Sequence, residues 1–120
     1  MSYVDGYLLA VPSDKRDDYR NLAEKMWPLF REWGAIRHVE CWSDDVPHGH
    51  TTDFFRAVKA EDGESVVFSW VEYPSKDVRD AANAKMRSDP RMKEMGDMMG
   101  FIDGKRMVFG GFTPLIDNTR

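Results

Sequence analysis

Cysteine is nearly missing from this chain. Cys41 is the only one in 120 residues, so no intrachain disulfide can form, the usual state of a protein in a reducing compartment. Long apolar runs are missing too. No stretch approaches the ~20 apolar residues of a membrane span. The opening Met1-Ser2-Tyr3-Val4-Asp5-Gly6 lacks the basic start and apolar run of a secretory leader. The expectation is a cytoplasmic protein with no membrane partner. Clustered positive charge is also lacking. Seventeen Lys and Arg stand against 21 Asp and Glu, a formal charge of −4. Acids interrupt the basic stretches, as in Asp14-Lys15-Arg16-Asp17-Asp18. Displacing phosphate counterions needs grouped cations, so nucleic acid is not an expected partner. There is no Gly-x-Ser-x-Gly elbow. No Lys-Ser or Lys-Thr follows Gly110-Gly111 as a phosphate loop requires. Repeats, low-complexity tracts and linkers are absent as well, and the length suits one domain over residues 1–120.

What is present reads as strands and helices in alternation. Tyr3 to Val11 is rich in β-formers and ends at Pro12. Ser13 is placed as an N-cap, and Tyr19, Leu22, Ala23, Met26, Phe30 and Trp33 make one helical stripe. Pro28 should bend that helix and Gly34 should end it with a left-handed cap. Ile36 to Ser43 predicts a strand with His38, Glu40 and Trp42 on one side. Thr51 to Ala60 is ambiguous; Thr52 could cap a short helix carrying Phe54, Phe55 and Val58. Ser65 to Tyr73 is dense in β-branched and aromatic residues and predicts the firmest strand. Ser75 caps a helix reaching about Arg87. Asp89-Pro90 starts another, bearing Met92, Met95, Met98 and Met99. Lys105 to Phe112 predicts the last strand.

The order β-α-β-β-α-β is the split βαβ pattern of an α+β, ferredoxin-like antiparallel sheet. The first and third strands should lie in the centre, with helices on one face. The strands carry apolar side chains on both faces, so the uncovered face needs a partner. A second copy packed sheet on sheet would make a homodimeric α/β barrel.

Three segments carry a family resemblance: Tyr3-Val4-Asp5-Gly6-Tyr7, Val66 to Lys76, and Asp103 to Phe112. The chain resembles the YbaA-like bacterial proteins, a family of unknown function. The resemblance implies a dimeric α/β barrel in the cytoplasm and supplies no catalytic residues. The wider barrel superfamily holds cofactor-free monooxygenases, haem enzymes, isomerases and ligand sensors, but a shared fold does not fix function.

Several residues invite a chemical reading. Asp5 lies in a central strand between Tyr3 and Tyr7, and His38 and Glu40 share a face with Trp42. A charge in a strand covered on both sides is costly unless paired. In a cleft, His38 with Glu40 or Asp5 could take a proton from a phenolic or enolic substrate. The plainer reading pairs Asp5 with Arg37, Lys105 or Arg106 across a dimer interface and leaves His38-Glu40 as a solvated edge. Tyr7, Trp42 and Trp70 are the candidate ligand contacts. His48-Gly49-His50 with Asp53 has metal-binding residue types but lacks a third ligand at zinc spacing, so no metal site and no cofactor are expected. The methionine run fits an adaptable helix face better than a copper site. Cys41 fits a small core residue. The leading expectation is a binder of an unidentified small molecule. The alternatives are a cofactor-independent monooxygenase- or isomerase-like enzyme and a non-catalytic interaction module.

Overall fold

The computed structural model describes residues 2–120. Its elements are β1 (Tyr3–Pro12), a 3-10 turn (Ser13–Lys15), α1 (Arg16–Glu32), β2 (Arg37–Trp42), α2 (Phe54–Ala57) and β3 (Glu64–Tyr73). There follow α3 (Lys76–Ser88), α4 (Met92–Met98), a second 3-10 turn (Gly104–Arg106) and β4 (Val108–Phe112). The strands form one antiparallel sheet in the order β2-β3-β1-β4. The sheet is the ferredoxin-like one expected from the element order, with β1 and β3 central and β2 an edge. Among the described residues no helix is long and apolar enough to cross a membrane.

Register decides which residues share a face. Asp5 pairs with Val71, which pairs with His38. Tyr7 pairs with Ser69, which pairs with Glu40. This side of the sheet faces α1, α3 and α4. Here Leu22, Met26, Phe30 and Trp33 of the α1 segment pack with Val71, Tyr73, Ala82 and Met95, and Met86, Met92, Met98 and Met99 fill around them. Unbranched thioether side chains suit such irregular gaps, so the methionine run is a core face. Leu9, Val11 and Val67 form a second apolar group against Trp42 and Phe101.

The other face is only partly covered. The short α2 seats Phe55 and Val58 on Ala10 and Val66 at one end, a helix on the face expected to have none. Beyond it Phe68, Val108 and Phe112 stay exposed. The Phe112 ring lies across Gly6 and Gly110, 3.6 to 3.9 Å from where their side chains would begin, so those glycines let an aromatic ring lie flat on the sheet.

Several local expectations need correction. Ser13 does not cap α1; its hydroxyl meets that of Ser65 at 2.7 Å and the helix enters through the 3-10 turn instead. Asp53, not Thr52, caps α2, accepting from the Arg56 N–H at 2.7 Å. Asp89 accepts from the Arg91 N–H at 2.9 Å, but α4 begins only at Met92. Cys41 is exposed rather than core, because β2 is an edge strand and Cys41 points to the face opposite α1, α3 and α4. Other expectations agree with the structure. Ser75 caps α3 through the Val78 N–H at 3.2 Å. Gly34 has φ +108°, and a side chain there would begin 2.5 Å from Val78 Cγ1. Only glycine allows both the left-handed backbone and that approach.

Candidate functional site

A groove of about 640 Å³ runs between α1 and β2. Its α1 wall is one helical stripe, with Arg16, Tyr19, Ala23 and Trp27 at steps of three and four residues. Its floor is the helix-facing side of β2, where alternation brings His38, Glu40 and Trp42 up together. The groove exists because α1 crosses over an edge strand, leaving β2 covered on one flank and open on the other.

A chain of hydrogen bonds runs along this floor. The Tyr19 hydroxyl donates to Glu40 Oε1 at 2.6 Å, and Glu40 Oε2 lies 2.6 Å from His38 Nε2. The His38 side chain is 8% exposed and that of Glu40 24%, so the pair lies under cover rather than on the solvated edge expected by the plainer reading. Burial, and then the neighbouring Glu40, push the Tyr19 phenol well above its ordinary range. Tyr19 therefore keeps its proton at neutral pH and serves as a donor. With Glu40 as a carboxylate, both of its oxygens accept, one from the Tyr19 hydroxyl and the other from His38 Nε2. Aromatic rings hold the imidazole: Phe30 meets it edge-on at 5.2 Å and Trp27 stacks at 6.3 Å. Trp42 packs beside Tyr19 at 6.4 Å.

Asp5 belongs to a different cluster. It lies on the helix side of β1, and Arg79 of α3 donates from Nε to its Oδ1 at 2.8 Å. Its partner is thus neither Arg37, Lys105 nor Arg106; Arg37 lies 3.7 Å from Glu72 on the opposite face. Arg106 holds Glu64 with two hydrogen bonds of 2.7 and 2.9 Å. Asp5 Oδ2 and the Tyr73 hydroxyl are buried without a protein partner among the described residues. Arg79 also lies over the Tyr3 ring at 5.0 Å. Burial and the Asp5 charge raise the Tyr7 phenol beyond its ordinary range and push Tyr73 up to about 12.

Three phenols are thus held protonated by burial, which sets an alkaline limit on the fold. A raised folded pKa contributes stability that is whole below the unfolded value of ~10 and is lost as pH rises through the folded one. The expected result is a steep alkaline unfolding that begins above pH ~10. The ultraviolet absorbance of tyrosinate from Tyr7, Tyr19 and Tyr73 should rise together with loss of helical circular dichroism. Smooth ionisation of all the tyrosines with the helical signal intact would contradict this burial.

The remaining candidates are scattered. Trp70 pairs with Gly6 and Val39, so it lies on the open face, away from His38 and Trp42, and its indole N–H reaches Glu72 at 3.3 Å. Tyr7 lies on the helix side between the two polar clusters and stacks near Phe109 at 6.4 Å. His48 stacks on Phe55 at 4.7 Å and lies 3.8 Å from Asp53. Asp53 is already committed to the backbone N–H groups of Arg56 and Gly49, which lower its pKa. Among the described residues no three His, Cys, Asp or Glu side chains are grouped to hold a metal ion. Sequence reasoning missed Tyr19, Trp27 and Arg79 as site residues. The α1 stripe did contain Tyr19, but its spacing reads equally as core.

Comparison with known proteins agrees with the family resemblance. The uncharacterized protein YbaA of Escherichia coli (strain K12) is 66% identical over 117 residues, covering 98% of this chain and 99% of that protein. Among solved structures, a dimeric ferredoxin-like protein from an uncultured marine organism superposes with a TM-score of 0.64 at 8% identity, over 98% of this chain and 100% of that one. SnoaB, a cofactor-independent oxygenase from Streptomyces nogalater, superposes with a TM-score of 0.57 at 14% identity, over 97% and 95%. These two are likenesses of fold alone. The family described as "Protein of unknown function (DUF1428)" matches residues 2–104, and the chain belongs to it.

Proposed function

We propose that this protein binds a small molecule in the groove between α1 and β2 and works as a homodimer. The observation that carries the reading is the hydrogen-bonded line Tyr19–Glu40–His38 along the floor of an aromatic-walled groove. Ligand sites are concavities of ~300–1,000 Å³ in which a few fixed polar groups orient a mostly apolar guest. A packed core has no use for three converging polar side chains, and a solvated surface would not hold them under aromatic rings.

The homodimer is supported by the open sheet face, where Phe68, Val108 and Phe112 are exposed beside Trp70. A second copy laid sheet on sheet covers this face without leaving an apolar patch in water. The marine protein of similar fold is itself described as dimeric. The lone, exposed Cys41 suits a reducing, cytoplasmic location.

A second reading is supported by the His38–Glu40 geometry. A carboxylate that fixes one ring nitrogen and leaves the other unpartnered is the arrangement of a base and its orienting group. On that reading His38 Nδ1 takes a proton from an enolic or phenolic ligand in a cofactor-independent oxidation or isomerisation. Asp5 is already held by Arg79 and has no part in it.

The test is native mass spectrometry of gently purified protein, repeated after denaturation. The expected result is a dimer carrying a reproducible small molecule that denaturation releases and that His38→Ala or Trp42→Ala protein lacks. Protein that is bare in every preparation, with no aromatic fragment perturbing the Trp27 or Trp42 indole resonances, would overturn the groove reading. Recovery of the released molecule unchanged after incubation favours the binder. Its conversion, abolished by His38→Gln, favours the enzyme.

A further inference from the structure

We infer that the guest of this groove is an amphipathic anion, an aromatic carboxylate whose acid group pairs with Arg16 while its ring lies between Trp42 and Trp27. This rests on the reading of the groove as a ligand site and goes beyond it by naming the ligand's chemical class.

The groove is polarised along its length. Tyr19 reaches Glu40 and packs on Trp42, whereas Trp27 and Phe30 reach His38. The N-terminal half of α1 therefore lies over the Trp42 end and its C-terminal half over the His38 end. Arg16, the first residue of α1, stands at the Trp42 end. The exposed Ile36 and Trp27 close the other end with apolar surface.

The charges along the groove are matched in turn until one is left over. Arg20 lies 3.5 Å from Glu24. Arg37 is drawn to the far side of the sheet, 3.7 Å from Glu72 and over the Trp70 ring at 5.9 Å. Glu40 is occupied on both oxygens by Tyr19 and His38. Asp18, two residues from Arg16 and turned to another side of the helix, lies 3.8 Å from Lys15. Among the described residues Arg16 has neither an ion-pair nor a hydrogen-bond partner, although it lines the groove. A guanidinium offers a planar fork of donors that fits a carboxylate with two parallel hydrogen bonds. In a chain of net charge −4, a free arginine at the lip also gives an anion a local attraction toward the groove. A cationic guest would meet Arg16 and Arg20 at the lip and find the floor carboxylate already filled.

Titration with naphthoate, and with naphthalenemethanol as its neutral counterpart, tests this through the indole N–H resonances of Trp27 and Trp42. The expected result is that naphthoate shifts both signals and binds roughly tenfold tighter than the alcohol. Arg16→Gln, which keeps a good helix former at an exposed position, should erase that preference and leave the alcohol's affinity unchanged. Equal binding of the two compounds would overturn the anion assignment while leaving the groove a ligand site. A preference for naphthoate that survives Arg16→Gln would also overturn it, because another group would then hold the acid. If neither compound shifts either signal, the groove reading falls with it.

Discussion

Replacing Arg79 with methionine should remove ~3–5 kcal/mol of folding stability, the cost of stranding one partner of a buried ion pair. A domain of this size has about 5–15 kcal/mol in all, so the variant should be largely unfolded at modest urea concentrations. The cause is the setting of Asp5. Its side chain is 5% exposed, it stands on a central strand, and its Oδ2 has no protein partner among the described residues. Among the described residues Arg79 Nε is thus its one counter-charge and donor. Methionine keeps the aliphatic stem of the arginine but removes the guanidinium, and with it both the hydrogen bond to Asp5 and the cation over the Tyr3 ring. The control is the double variant Asp5→Leu with Arg79→Met, which buries no charge and should recover most of the lost stability. If Arg79→Met unfolds within ~0.5 kcal/mol of the parent, as an ordinary surface substitution does, the pair does not tie α3 to β1. Gly111 belongs to the same construction. A side chain there would meet the Arg79 guanidinium and the Tyr3 ring, so a Cβ at this point of β4 would push them from their places.

The Asp5–Arg79 pair marks a limit of what the sequence can say. That Asp5 needed a partner was legible, because a central strand buries it whichever way it faces. Which partner was not, since Arg79 lies 74 residues away on a helix and nothing local distinguishes it from Arg37 or Arg106. The face was equally hidden: alternation groups Tyr3, Asp5 and Tyr7, but only the pairing of Asp5 with Val71 says that they point to the helices. The same limit applies to Trp70. Alternation within β3 is plain from Val66 to Tyr73, yet whether Trp70 joins Trp42 depends on register between strands. Features decided within a few residues were read well: the left-handed Gly34, the Ser75 cap and the β-branched run of β3. Ser13 failed as a cap because Ser65, 52 residues away at the start of the neighbouring strand β3, took its hydroxyl. Their spacing of two put His38 and Glu40 on one face, while the choice between Glu40 and Asp5 as the partner of His38 came from the structure. Their cover was missed, because only the path of α1 over the edge strand brings Tyr19 and Trp27 above them.

Phe68→Arg should split the proposed homodimer into monomers. Phe68 is 47% exposed on the open sheet face, with Trp70 edge-on at 5.7 Å and Phe54 at 6.1 Å, and such aromatic clusters are where interface energy concentrates. A two-fold interface presents each residue twice. The substitution therefore removes two aromatic anchors and brings two like charges into one desolvated layer. At ~2 kcal/mol or more per lost anchor, the dissociation constant should rise about a thousandfold. Sedimentation equilibrium at micromolar concentration should find the parent at twice 13.9 kDa and the variant at 13.9 kDa. The groove lies on the opposite side of the sheet, so a monomeric variant that stays folded should still bind the guest of Trp27 and Trp42. A parent that sediments as a monomer would overturn the sheet-on-sheet dimer and leave the apolar face for a different protein to cover. A variant that remains dimeric would place the contact between copies elsewhere on the surface.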